Sequence, residues 1–154
     1  MYKKYLFKKF IIGLLAASIT SAAKMNCKKF NSTTTDIEIN KCIENKKGRI
    51  ISLDIDGLIT DELIEKIITL DYLEEFKFYH PSYQEDFDLT PLKNLENLTS
   101  LEAVCYRHPK HKSSGSEIKK KSFDGLKKLQ KLKIRGCEVL GEQAYIGLTN
   151  LKEL

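Results

Sequence analysis

The chain has 154 residues, 42% of them hydrophobic and 31% charged, with a formal net charge of +5. That length suits about one domain, and the composition excludes a disordered chain and a multi-span membrane protein. Three Pro and eight Gly exclude collagen-like and low-complexity classes.

The chain opens with a targeting pattern. Lys3, Lys4, Lys8 and Lys9 precede a short apolar run, Phe10 to Ala17, and no acid interrupts them. Small and polar residues follow, with Ser21 and Ala23 around a cleavage point before Lys24. This is the order of a secretory signal peptide. A membrane anchor needs about 20 apolar residues, and this run turns polar by Ser18. Residues 1–23 are therefore expected to be cleaved. Their loss lowers the net charge from +5 to +1, because four of the 26 basic residues leave with them. No second run approaches spanning length, so the mature chain is expected to be secreted, extracellular and without a membrane span.

Export places Cys27, Cys42, Cys105 and Cys137 in an oxidising compartment, where four cysteines allow three full pairings. Asn31-Ser32-Thr33 and Asn97-Leu98-Thr99 are N-glycosylation sequons, which makes Asn31 and Asn97 candidate glycosylation sites.

Residues 24–47 form a region of their own before the first strand. From residue 48 onward the apolar positions recur. Ile50, Leu53, Ile55 and Leu58 begin the series, and Leu70, Leu73, Phe76 and Phe78 continue it. Leu98, Leu101, Val104 and Tyr106 follow, then Leu126, Leu129, Leu132 and Ile134, and finally Leu148, Leu151 and Leu154. Residues 53, 76, 104, 132 and 154 are expected to be equivalent. Each unit ends in two apolar residues that share one face of a short strand. One unit cannot bury that face alone, but stacked units share a continuous core. Between the first two units, Asp61 to Leu70 reads as a helix. Thr60 is its N-cap, acids fill its first turn, and Leu63, Ile64, Ile67 and Ile68 form its apolar stripe. Arg107 to Lys121, with Pro109, Gly115 and three serines, reads as a basic loop.

The stretch Ser122 to Cys137 resembles the xFxGLxxLxxLxLxxN/C unit of extracellular leucine-rich repeats, with Cys137 at the Asn/Cys position. Ala144 to Leu154 begins the same unit again, and Leu89 to Val104 is similar to it with a longer leucine ladder. The resemblance covers about residues 48–154. It implies an α/β leucine-rich-repeat solenoid, a short horseshoe of parallel strands with four to five repeats, similar to an L-domain. It also implies a cysteine-bearing cap over residues 24–47, closed by a Cys27–Cys42 bridge. Leu154 falls in mid-repeat, with no capping segment after it. The expectation is a repeat region that continues in a longer protein, the alternative being an open edge that associates with another chain.

In such a fold the residues between the inward ones line a concave face. By this alignment the outward residues are Ser52, Asp54 and Asp56; Glu75, Lys77 and Tyr79; Ala103, Cys105 and Arg107; and Lys131, Lys133 and Arg135. Cys105 is then expected to point outward and Cys137 inward, which argues against a bridge between them. Charge segregates along the chain: residues 54–102 carry a net −10 and residues 107–135 a net +9. A dipolar surface of that kind steers and orients a charged partner.

Recognisable chemistry is sparse. His108 and His111 bracket Pro109 with no third ligand at a zinc spacing. Asp54 and Asp56 supply too few carboxylates for Ca²⁺. A Cys105–His108 nucleophile pair has no orienting acid. No cofactor, metal site or catalytic residue is expected. The basic stretch has no interleaved aromatics for stacking on nucleic acid, so none is expected as a partner; an anionic glycan is the alternative ligand of the basic patch. The reading is a non-enzymatic recognition module that holds a protein ligand on the concave strand face through Asp54, Asp56, Lys77, Tyr79, Arg107, Lys133 and Arg135. Its alternatives are a secreted inhibitor or effector that blocks another protein, and, less favoured, a small secreted hydrolase.

Overall fold

The computed structural model describes residues 25–81, 88–106, 117–118, 122–139 and 145–154. The expected signal peptide, most of the basic loop, and Arg107, His108 and His111 lie outside them. The architecture is α/β, built on an open five-stranded sheet that is parallel except at one edge. Helix α1 (Cys27–Thr33) leads into β1 (Ile37–Glu44) and β2 (Ile50–Gly57), then α2 (Asp61–Ile67) and β3 (Glu75–Pro81). A 3-10 helix (Thr90–Asn94) precedes β4 (Ser100–Tyr106), β5 (Glu117–Ile118), β6 (Lys131–Arg135) and β7 (Glu138–Val139). The large sheet runs β1-β2-β3-β4-β6, and β5 pairs with β7 in a separate two-stranded ladder.

Before each of the last three parallel strands, and again near the end of the chain, the same turn recurs. The amide of Leu73 donates to the carbonyl of Leu70, Leu98 to Leu95, Leu129 to Leu126 and Leu151 to Leu148. The leucines of the first three pairs are buried. Each turn is also tied to the strand before it. Glu74 donates to Ile51, Thr99 and Ser100 to Glu74, Gln130 and Lys131 to Thr99, and Lys152 and Glu153 to Gln130. Three-residue leucine spacing thus bends the chain inward, and the backbone groups freed at the bend are satisfied by the neighbouring unit.

The N-terminal region departs from expectation by containing a strand. β1 pairs antiparallel with β2, from Ile37 opposite Gly57 to Glu44 opposite Ile50. The short link Asn45 to Arg49 makes this possible, since a hairpin closes only antiparallel strands. Gly48 takes φ +68° there, and the Asn45 side-chain oxygen accepts from the amides of Lys47 and Arg49. A Cys27–Cys42 disulfide, with Cα atoms 5.9 Å apart, pins α1 to β1. Asn26 caps α1 by accepting from the Lys29 amide, and Phe30 is fully buried beneath it.

Helix α2 starts where expected and ends three residues earlier, at Ile67. Thr60 Oγ1 accepts from the Leu63 amide at 3.2 Å, and Leu63, Ile64 and Ile67 face the core. Thr60→Ala removes that acceptor from a helix too short to be stable alone. It is expected to lower the unfolding free energy by about 1 kcal/mol in urea titration. An unchanged midpoint would show that packing alone holds α2.

The largest correction concerns β4. Residues 76 and 101 are partners, as are 78 and 103, and 80 and 105. The equivalent positions are therefore 53, 76, 101 and 132, with Leu101 in the place expected for Val104. Leu101, Ala103 and Cys105 point inward and are buried, whereas Tyr106 is exposed. The error is physical in origin. Hydrophobicity favours Val104 and Tyr106 as inward residues, but the parallel register with β3 sets Leu101, Ala103 and Cys105 beside the buried Phe76, Phe78 and His80.

With Cys105 turned inward, the argument against pairing it with Cys137 falls. The two form a disulfide across Cα atoms 4.9 Å apart. All four cysteines are thus paired. No helix among the described residues is long and apolar enough to cross a membrane.

Candidate functional site

The side of the parallel sheet opposite the leucine core is open. Strict register stacks its outward residues into rows across β2, β3, β4 and β6. The first row is Ser52, Glu75, Ser100 and Lys131; the second is Asp54, Lys77, Glu102 and Lys133; the third is Asp56, Tyr79, Val104 and Arg135. Period-two alternation on four strands, all paired without a bulge, produces this lattice. Ala103 and Cys105 belong to the core instead. The outward residues missed in the sequence are Ser100, Glu102, Val104 and Tyr106. A signal for them existed: Leu73, Leu98 and Leu129 each precede the first inward strand residue by three, which selects Leu101 over Val104.

The correction changes the electrostatics. The expected outward residues pass from acidic to basic along the stack. In the structure the second row alternates in sign, because Glu102 stands between Lys77 and Lys133. Lys77 Nζ lies 3.7 Å from Asp54 and 4.0 Å from Glu102, and 4.8 Å above the Tyr79 ring. The Lys77 ammonium is held above the ordinary lysine range, chiefly by its contact with Tyr79, with Glu102 and Asp54 adding to it. In the first row Ser52 donates to Glu75 at 3.0 Å. Lys131 pairs with Glu153 at 2.9 Å, which raises the lysine and lowers the carboxyl. At the other end of the strands Tyr106 donates to Asp56 Oδ1 at 3.3 Å. A hollow of about 320 Å³ opens over the first two rows, lined by Asp54, Glu75, Lys77 and Glu102 with Lys41 and Lys131 at its sides.

Of the sequence-predicted ligand residues, Asp54, Asp56, Lys77, Tyr79, Lys133 and Arg135 share this face, and Arg107 lies outside the described residues. Asn31 is exposed on α1. Asn97 is half-buried and engaged: its amide donates to the Asp71 carbonyl at 2.7 Å, and its oxygen accepts from Lys128 at 3.2 Å. Asn150 donates to Lys127 at 2.7 Å in the same way. The second sequon asparagine is therefore a tie between successive turns. Cys105, once paired with His108 as a conceivable nucleophile, has its sulfur bonded to Cys137. No three metal-ligating side chains converge among the described residues.

His80 is the one buried histidine of the described chain. It is fully enclosed on the inner face of β3, where its Nδ1 accepts from the Ile59 amide at 3.2 Å. Burial pushes its pKa down to about 4, so the ring is neutral at physiological pH. It carries structure beneath the sheet, away from the open face.

The chain matches no protein-family model, and no curated protein matches it.

Proposed function

We propose that the chain is a secreted leucine-rich-repeat recognition module that binds a protein ligand on the open, concave face of its parallel sheet. The observation that carries this reading is the lattice of outward side chains held in register on four adjacent strands, with none of the described elements lying over it. The repeat assignment draws support from the leucine turn that recurs with the same hydrogen bonds before successive strands. Two disulfides support the extracellular setting, since such bonds persist in oxidising compartments. Recognition here rests on shape and charge complementarity between ordered side chains, with no step of bond chemistry assigned to the face.

Lys133 and Arg135 lie at the β6 end, where the described acids are fewest. The test immobilises the disulfide-bonded chain, passes the proteins of its extracellular medium over it, and measures the retained ligand by mass. Lys133→Glu combined with Arg135→Glu is expected to reduce retention about ten-fold or more. A Glu62→Lys change on α2, away from the face, is expected to leave it unaltered. Equal retention by all three proteins would remove the face from consideration.

A further inference from the structure

Arg49 stands just before β2, outside the rows of the open face. Run back three residues from Ser52 and Glu75, the parallel register of β2 and β3 sets it beside Tyr72. The two stack, with the guanidinium carbon 4.0 Å from the centre of the Tyr72 ring. The Arg49 Nε is buried and has no hydrogen-bond partner. Its terminal nitrogens have neither a hydrogen bond nor an ion pair among the described residues, and they remain open to solvent. Tyr72 is 42% exposed, and its hydroxyl likewise has no partner there. The stem of the arginine is thus fixed by packing while its outer donors stay available. Lys77 and Lys131 differ, because neighbouring carboxylates match their ammonium groups.

The link that carries Arg49 is rigid and basic. Asn45 donates its amide to the Arg49 carbonyl, and its own carbonyl accepts from the Gly48 amide, both at 2.9 Å. Its side-chain oxygen accepts from the amides of Lys47 and Arg49. Lys46 and Lys47 stand exposed in the middle of this turn, and neither pairs with an acid among the described residues. Asn45-Lys46-Lys47-Gly48-Arg49 therefore sets three cations on one hydrogen-bonded turn. The acids of the neighbouring segments are Glu44, Asp71 and Glu74. One oxygen of Glu44 accepts from the Cys27 amide at 2.8 Å, and the other lies towards Gly48. None of the three acids is within ion-pair reach of Arg49. They confine the positive field to the turn and its arginine.

The geometry points to an oxyanion site at this end of the sheet, whose ligand is a sulfate ester carried by a glycan. A guanidinium presents paired, coplanar donors that meet two oxygens of an oxyanion at once, which an ammonium cannot do. Stacking on Tyr72 fixes the plane of that fork, so less freedom is lost on binding. A sulfate ester has three outer oxygens, two for the fork and one for Lys46 or Lys47, whereas a carboxylate has two. Basic residues clustered at short spacing are also a sequence mark of heparin-type ligands. The site stands apart from the strand rows, so it adds a second ligand to the protein held on the open face. The choice of sulfate over phosphate rests on the extracellular setting proposed above; the site itself does not. With one fork and two lysines, binding is modest and salt-sensitive.

Titration of the disulfide-bonded chain with a heparin-derived hexasaccharide, followed by calorimetry and NMR, tests this. The amide resonances of Lys46, Lys47 and Arg49 and the ring resonances of Tyr72 are expected to shift together. The affinity is expected to fall about ten-fold or more from low to high salt. The desulfated hexasaccharide is expected not to bind, and sodium sulfate to shift the same resonances only at concentrations about ten-fold higher or more. Arg49→Lys keeps the charge and removes the fork, and should weaken binding about ten-fold while resonances elsewhere stay in place. Lys46→Ala combined with Lys47→Ala should weaken it about as much. Lys133→Glu combined with Arg135→Glu should leave it unchanged, so this site and the open face fail or stand separately. A hexasaccharide that does not bind overturns the inference. So does binding indifferent to Arg49→Lys, binding by the desulfated sugar, or shifts centred on the open face. Sodium sulfate that binds as tightly as the hexasaccharide makes the occupant a free ion and overturns the glycan assignment. Sodium phosphate that binds more tightly than sodium sulfate overturns the choice of sulfate.

Discussion

Gly136→Ala is expected to lower the unfolding free energy by about 3 kcal/mol or more and to leave free thiols in a chain that otherwise has none. Gly136 takes φ +70°, and a Cβ built there overlaps the backbone carbonyl oxygen of Cys105. The left-handed conformation alone costs a non-glycine residue about 1–2 kcal/mol. The overlap is with backbone, so no side-chain rotation relieves it, and the strand end must move. Cys137, the next residue, moves with it and loses its reach to Cys105. Losing the bridge reopens a loop spanning 32 positions, worth about 3–4 kcal/mol on chain-entropy reasoning. Urea unfolding with thiol titration measures both parts. Cys105→Ala with Cys137→Ala isolates the bridge, and adding Gly136→Ala to that background should still destabilise the protein. An alanine variant with wild-type stability and no free thiol would show that residue 136 has room to move away from the Cys105 carbonyl.

The second large effect is acid instability traced to His80. The unfolded histidine binds a proton near pH 6.5, whereas the enclosed ring resists until about pH 4. Between those values the unfolded state holds more protons than the folded one. Stability is thus complete above pH 6.5 and falls as pH drops toward 4, by about 3 kcal/mol in total. His80→Asn keeps an acceptor near the Ile59 amide and removes the titration. Its urea midpoint should change less than that of wild type between pH 7.5 and 4.5, and the difference between the two proteins isolates His80 from every other group. Parallel pH profiles would mean that the ring gains a proton without opening the core.

Much of the fold is legible in the sequence because its signals are local. The capping threonine and stripe of α2 lie within nine residues. The Leu-x-x-Leu turns announce themselves by spacing, and the leucines of the first three are buried in the structure. β1 is less legible. Ile37, Ile39, Lys41 and Ile43 mix apolar and polar residues without marking a direction, and only its tight link to β2 makes it antiparallel.

The candidate site was half legible. On β2, β3 and β6 one face is plainly more apolar, so Asp54, Lys77 and Lys133 fall outward by alternation alone. On β4 both faces carry apolar residues: Ala103 and Cys105 on one, Val104 and Tyr106 on the other. A slip of one residue exchanges the two faces of a strand, and composition does not choose between them. The leucine ladder, the helix and the strands that carry the charges follow from signals between residues close in the chain. The three-residue step from Leu98 already favours Leu101 as the inward residue, but which residues that register brings together is a matter of strand pairing, because partners across β3, β4 and β6 are distant in the chain. From that pairing follow the Cys105–Cys137 bridge, the outward place of Glu102, and the alternating charge of the open face.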